Sequence, residues 1–151
     1  MPRYNLAVLL HALAAMALPL ASIWPHTGSA AETAAITPST VIVVRHAEKV
    51  DDLRDPALSE AGSERAEALA AALENVGLDA VYVSQYQRTR LTAEPAAEAA
   101  GLPVRMEPIE GEIEAWAQAF AAALVQEHPG QTILVAGHSN TEPPLVAALC
   151  R

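Results

Sequence analysis

Past residue 39 the chain alternates two kinds of apolar pattern. Short continuous runs occur at Val41 to Val44, Ala80 to Val83, Pro103 to Met106 and Thr132 to Ala136. Between them lie longer stretches, Ser59 to Asn75, Tyr86 to Ala100, Ile113 to Glu127 and Glu142 to Leu149, in which apolar residues recur every three or four positions. The first kind has the length of buried strands and the second the period of helices with one packed face. Alternation of the two predicts βαβαβαβα, a mostly parallel sheet covered by helices.

Local signals place the helix ends. Ser59 is suited to cap the first helix, whose face is Ala66, Leu69, Ala70, Leu73 and Val76, and Gly77 to take the left-handed position after it. Trp116, Phe120 and Leu124, four residues apart, form a core stripe on the third. Pro95 is expected to kink or restart the second helix, and Pro143 and Pro144 fit only a first turn.

The first thirty residues follow a different pattern. Arg3 precedes an apolar run from Leu6 to Ile23, and Gly28, Ser29, Ala30 and Ala31 then supply small residues. This is the layout of an export signal cleaved after Ala30 or Ala31, since His11 and Pro19 interrupt a run already near the lower limit for crossing a bilayer. The expected organisation is a signal peptide over 1–30, a small, polar, Pro-bearing linker over 31–39, and one domain over 40–151. The mature protein is then exported, periplasmic or secreted, without stable membrane insertion.

Composition narrows the partners. Nine Lys and Arg against 18 Asp and Glu give a net charge of −9, which argues against nucleic acid and requires any anion site to be local. The single cysteine, Cys150, allows no internal disulfide and has no spaced catalytic partner.

Three strands end in residues able to do chemistry. Arg45 and His46 follow the first, Ser84 and then Arg88 the second, and Gly137, His138, Ser139 and Asn140 the last. In an open parallel sheet these ends share one edge, where ligands bind. Arginine grips phosphate oxygens in a planar fork and keeps its charge, and imidazole can attack phosphorus or stabilise its oxygens. Arg45, Arg88, His46 and His138 therefore outline a phosphoryl site, with His46 as nucleophile candidate. Each piece has a plainer reading: a surface Arg-His pair, a core histidine in a capped turn, an Arg88–Glu94 pair on one helix face. Zinc on His46, Glu48 and His138 lacks the supporting Cys or paired-His spacing. No metal or organic cofactor is called for.

The stretches VIVVRHAEK (Val41 to Lys49), LSEAGSERAEAL (Leu58 to Leu69), VSQYQRTRLTAEPAA (Val83 to Ala97) and ILVAGHSNT (Ile133 to Thr141) resemble the histidine phosphatase superfamily, the phosphoglycerate mutase-like group. The resemblance implies a three-layer α/β/α sandwich and a phosphomonoester hydrolase working through a phosphohistidine on His46. It implies that Arg45 and Arg88 bind phosphate and that His138 is the second catalytic histidine. The substrate would be a phosphorylated small molecule or protein. A mutase-type phosphotransferase and a non-catalytic anion-binding domain are the alternatives. Three features depart from the family. Ala47 stands where glycine is common after the Arg-His pair. Position 139 is Ser where some members carry an acidic residue, leaving Glu107, Glu110, Glu112 and Glu114 as acids, with Glu110 and Glu112 favoured as loop residues. Members continue with a further strand, so the resemblance implies that Arg151 ends a fragment.

Overall fold

The computed structural model describes residues 37–151. The expected signal peptide, and the linker up to residue 36, lie outside the described residues. The elements follow the predicted order: β1 (Thr40–Arg45), α1 (Glu60–Leu73), β2 (Ala80–Val83), α2 (Gln87–Ala100), β3 (Val104–Met106), α3 (Ile113–Glu127), β4 (Thr132–Gly137) and α4 (Glu142–Leu149). The four strands form one sheet, all pairs parallel, in the order β1-β4-β2-β3. Among the described residues no helix is long and apolar enough to cross a membrane.

Two apolar layers hold the helices to the sheet. On one face Tyr82, Ile133 and Val135 meet Ala117, Phe120, Leu124 and Leu145 of α3 and α4. On the other, Val81, Val83, Leu134 and Ala136 meet Ala70 of α1 and Ala93, Ala96 and Ala97 of α2. Successive strand residues point to opposite faces, so a run apolar at every position is what a strand covered on both sides requires. β4 shows this in full, with Ile133 to Gly137 all buried between β1 and β2. Val41 to Val44 are only half-buried because β1 is an edge strand.

The helix ends agree with the sequence in most respects. Ser59 Oγ accepts the Gly62 N–H at 3.1 Å, the expected cap of α1. Pro143 and Pro144 sit in the first turn of α4. Two expectations are corrected. Gly77 has φ +71°, but α1 ends at Leu73, and Val76 is exposed in the turn between them. α2 runs through Pro95 without restarting, because Ala93, Ala96 and Ala97 around it are buried against the sheet and hold the turn that lacks one N–H. Ser39, at the end of the expected linker, is bonded to the turn between α3 and β4: its Oγ donates to the His128 carbonyl and accepts the Gly130 N–H.

Gly62 marks the closest approach of α1 to the segment after β1. A Cβ there would overlap the Glu48 carbonyl oxygen, backbone that cannot turn aside. Gly62→Ala is expected to destabilise the fold by roughly 1–3 kcal/mol, as overpacked sites do, and to lower the urea midpoint; an unchanged midpoint would show that α1 does not seat as described.

Candidate active site at the carboxyl ends of the strands

The β1–β4 ladder runs in register from Thr40↔Thr132 to Arg45↔Gly137, and one further hydrogen bond, His46 N–H to the Gly137 carbonyl at 3.0 Å, continues it. His46 and His138 thus leave neighbouring strands at the same level. Their rings are 5.4 Å apart between centroids, edge to face, and both are buried. β2 ends one strand further on, with Val83 opposite Ala136, and places Ser84 against the His138 ring.

Each imidazole is oriented. His46 Nδ1 lies 2.8 Å from the Ala47 carbonyl, which can only accept, so Nδ1 carries the proton and Nε2 keeps its lone pair. The backbone here is tied to α2: the Ala47 N–H donates to Thr92 Oγ1 at 2.8 Å, and that hydroxyl donates to the Arg88 carbonyl at 2.7 Å. His138 Nε2 is 2.8 Å from Ser84 Oγ, and its Nδ1 is 3.5 Å from an Arg88 terminal nitrogen. Thr141 Oγ1 accepts the His138 N–H at 3.0 Å, closing the turn into α4.

Arg88 stands in the first turn of α2, its guanidinium 4.2 Å from the Tyr86 ring centre. One Arg88 Nη donates to the Arg54 carbonyl at 3.3 Å, and Asp55 lies 3.7 Å away, an acidic neighbour on the loop after β1. Its Nε is buried without a partner, a donor that an anion could satisfy. The plainer reading of Arg88 as a partner of Glu94 does not hold: Glu94 pairs with Arg90, at 2.8 Å. Arg45 is exposed at the end of β1 and acts on both imidazoles through its charge.

The electrostatics follow from burial beside cations. His138 is lowered to about 4, first by desolvation and then by the charges of Arg88, His46 and Arg45. His46 is lowered by desolvation, which its bond to the Ala47 carbonyl partly opposes, and by Arg88, Arg45 and Lys49. The four residues singled out from the sequence, Arg45, His46, Arg88 and His138, are together. Glu48 turns away to pair with Arg65 at 3.0 Å.

The acids sort differently from expectation. Glu110 and Glu112 are exposed. Glu107, half-buried after β3, and Glu142, half-buried in the first turn of α4, line one cavity with Ser84, Gly137 and Trp116. Both carboxyls are raised by burial; the Trp116 indole opposes this at Glu107, and the Arg45 charge opposes it at Glu142. Glu142 escaped the sequence reading because its position looks like an ordinary acidic first turn. Ser84 was noted only as following a strand, and Thr92, four residues after Arg88, carried the one spacing signal for a shared helix face.

Because the folded imidazoles bind protons less readily than the unfolded chain, with its ordinary value of 6.5, stability is full above 6.5 and falls as pH drops toward about 4. Glu107 and Glu142 act in the opposite sense, so the histidine contribution is read by difference. His138→Gln is expected to flatten the dependence of the urea midpoint on pH between about 6.5 and 4; parallel curves for the two proteins would contradict the assignment.

Comparison with known proteins agrees with this architecture. The family description "Histidine phosphatase superfamily (branch 1)" matches residues 41–115. Phosphoserine phosphatase 1 from Hydrogenobacter thermophilus is 37% identical over 98 residues, 59% of this chain and 46% of that protein, so the chain spans about half the length of this curated relative. Among solved structures, Bacillus stearothermophilus YhfR superposes with a TM-score of 0.65 at 22% identity, over 74% of this chain and 79% of that one. The protein histidine phosphatase SixA, complexed with tungstate, superposes with a TM-score of 0.59 at 24% identity, over 71% and 74%. The two superpositions establish the α/β fold, and with the match over Arg45, His46 and Arg88 the chain belongs to the histidine phosphatase superfamily, branch 1.

Proposed function

We propose that the protein hydrolyses phosphomonoesters through a phosphohistidine on His46. The observation that carries this reading is the facing pair of buried imidazoles with the Arg88 guanidinium beside them. In the first step the free Nε2 of His46 forms a bond to phosphorus as the ester P–O bond breaks, and the leaving oxygen takes a proton from a carboxylic acid. In the second, water attacks phosphorus, the P–N bond breaks, and the water's proton returns to the carboxylate as phosphate leaves. Arg45 and Arg88 offset the charge on the equatorial oxygens, and protonated His138 donates to one of them.

Glu107 is the acid this arrangement favours. Burial raises its carboxyl toward the protonated form, and it shares its cavity with Ser84 and Gly137, which adjoin the two histidines. That cavity, about 10 Å³, has room for about one water. Hydrolysis rather than mutase transfer is further supported by the phosphatases among its relatives. An open groove of about 680 Å³ lined by Arg45, His46, Lys49 and Arg65 offers room for the rest of a phosphorylated small molecule or protein segment. The amino-terminal pattern supports export, which fractionation of the tagged full chain would test.

With p-nitrophenyl phosphate, wild type is expected to turn over and His46→Ala to lose about a thousandfold or more of kcat, as loss of a nucleophile does. Equal inactivity of the two, with phosphate still bound, would replace the enzyme reading by anion binding. Glu107→Gln should slow an alkyl phosphate about tenfold more than the nitrophenyl ester, whose leaving group needs little protonation; equal losses on both substrates would remove Glu107 from the role of acid.

A further inference from the structure

Behind His138 lies a line of buried hydroxyls that the reaction above does not use. Ser84 Oγ is 2.8 Å from His138 Nε2 and 3.0 Å from Thr89 Oγ1, and Thr89 Oγ1 is 2.7 Å from the Tyr86 carbonyl. Ser84, Thr89 and His138 are all buried. A hydroxyl has one proton, so the direction of such a line is decided at its ends.

Both ends give the same answer. The Tyr86 carbonyl only accepts, so at 2.7 Å the Thr89 hydroxyl must point its proton there, which leaves Thr89 Oγ1 to accept from Ser84. Ser84, its proton committed to Thr89, must accept from His138, so Nε2 carries the ring proton. At the opposite end of the ring, Arg88 only donates, and Nδ1 faces it at 3.5 Å with a lone pair. The reverse order would set an N–H against a guanidinium and bring two oxygens to 2.7 Å with no proton between them. Thr89 is itself fixed, since its N–H also reaches the Tyr86 carbonyl at 3.2 Å in the first turn of α2.

We propose that Ser84, held by Thr89, is a positioning residue that fixes His138 in the Nε2–H tautomer and so presents its Nδ1 to the phosphoryl group. The proposal rests on the phosphatase reading for the identity of that group. It has a consequence for binding. In the anion-free protein Nδ1 is an acceptor, which repels phosphate oxygens as they displace Arg88 from it. Binding therefore adds a proton at Nδ1, taken from solvent or from the monoanionic form of the phosphate, turning the atom from acceptor to donor while Nε2 stays bonded to Ser84. The charged and titratable groups around the ring are Arg45 and His46 after β1, Tyr86 and Arg88 on the β2–α2 segment, and Glu142 on α4; the cations oppose the added proton until the anion offsets them.

The test reads the ring directly. In ¹⁵N-labelled protein at neutral pH, two-bond proton–nitrogen correlations are expected to show His138 as the Nε2–H tautomer, and inorganic phosphate to move Nδ1 to the protonated position. Ser84→Ala and Thr89→Val should both yield a tautomer mixture, whereas Thr89→Ser, which keeps the hydroxyl, should match wild type. In turnover of p-nitrophenyl phosphate, Ser84→Ala should lower kcat about tenfold to a hundredfold, as loss of a group that orients a catalytic imidazole does. A wild-type Nδ1–H tautomer, or one unchanged in both hydroxyl-deleting variants, overturns the proposal. Wild type that is inactive but has the expected tautomer and response to phosphate would instead end the phosphatase reading and leave Ser84's role standing.

Discussion

The hydrogen bond from the His46 N–H to the Gly137 carbonyl is the constraint on which the site depends. It extends the parallel ladder one step past the last paired residues, Arg45 and Gly137, so that two histidines distant in sequence leave the sheet side by side. Parallel pairing makes this proximity possible, because every strand then points its carboxyl end the same way. Gly137 also allows the close approach of α4: a Cβ there would come within 3.2 Å of Thr141 Oγ1, the hydroxyl that accepts the His138 N–H. A slip of one residue between β1 and β4 would send the His46 side chain to the opposite face of the sheet and dissolve the pair.

Given that geometry, the charge state of the site follows. The protein carries a net −9, yet Arg45, Arg88 and two imidazoles meet in one place, partly desolvated. Burial strips water from both imidazoles and the neighbouring cations add to that penalty on the charged form, so both histidines are lowered. The buried Arg88 Nε without a partner and the Asp55 carboxylate 3.7 Å from the same guanidinium show a cation only partly compensated. A tetrahedral anion would offset these charges, and the protein's acidic balance would confine that attraction to the strand ends.

The order of strands and helices was legible because this chain separates its periods cleanly. Four apolar runs never exceed strand length, and each is followed by a stretch with a one-sided apolar stripe. Arg45, His46 and His138 were legible for a related reason, as basic residues at or just past the end of an apolar strand, and Arg88 from its place in the first turn of the helix after β2. The remainder depends on distances that no local pattern encodes. Pro95 was expected to interrupt α2, but tertiary burial of its alanine neighbours outweighs one missing hydrogen bond. Glu110 and Glu112 were favoured over Glu107 because they sit in a loop, whereas burial separates them: Glu107 turns into a cavity and the other two face solvent. The roles of Ser84 and Thr89 required knowing which atom of which ring each hydroxyl meets.

Two spaces of different character flank the histidine pair. On the α1 side Lys49 and Arg65 join Arg45 and His46 around an open groove. On the α3 and α4 side Glu107 and Glu142 lie among Trp116, Phe120 and Leu145 in a cavity too small for more than about one water. If the protein acts as proposed, the guanidinium and imidazole groups at the strand ends would offer the same contacts to any phosphomonoester and would not discriminate among leaving groups. Under the proposed reading, selectivity must arise where the remainder of the substrate touches protein, and the groove beside Arg45 and His46 has the room. Arg65 and Lys49 stand there paired with Glu48 and Asp52, so under that reading the groove would select among leaving groups by exchanging these pairs, while Glu107 would handle the proton. Substitutions at Lys49 or Arg65 should accordingly change preference among substrates, and those at Glu107 the chemistry common to all of them.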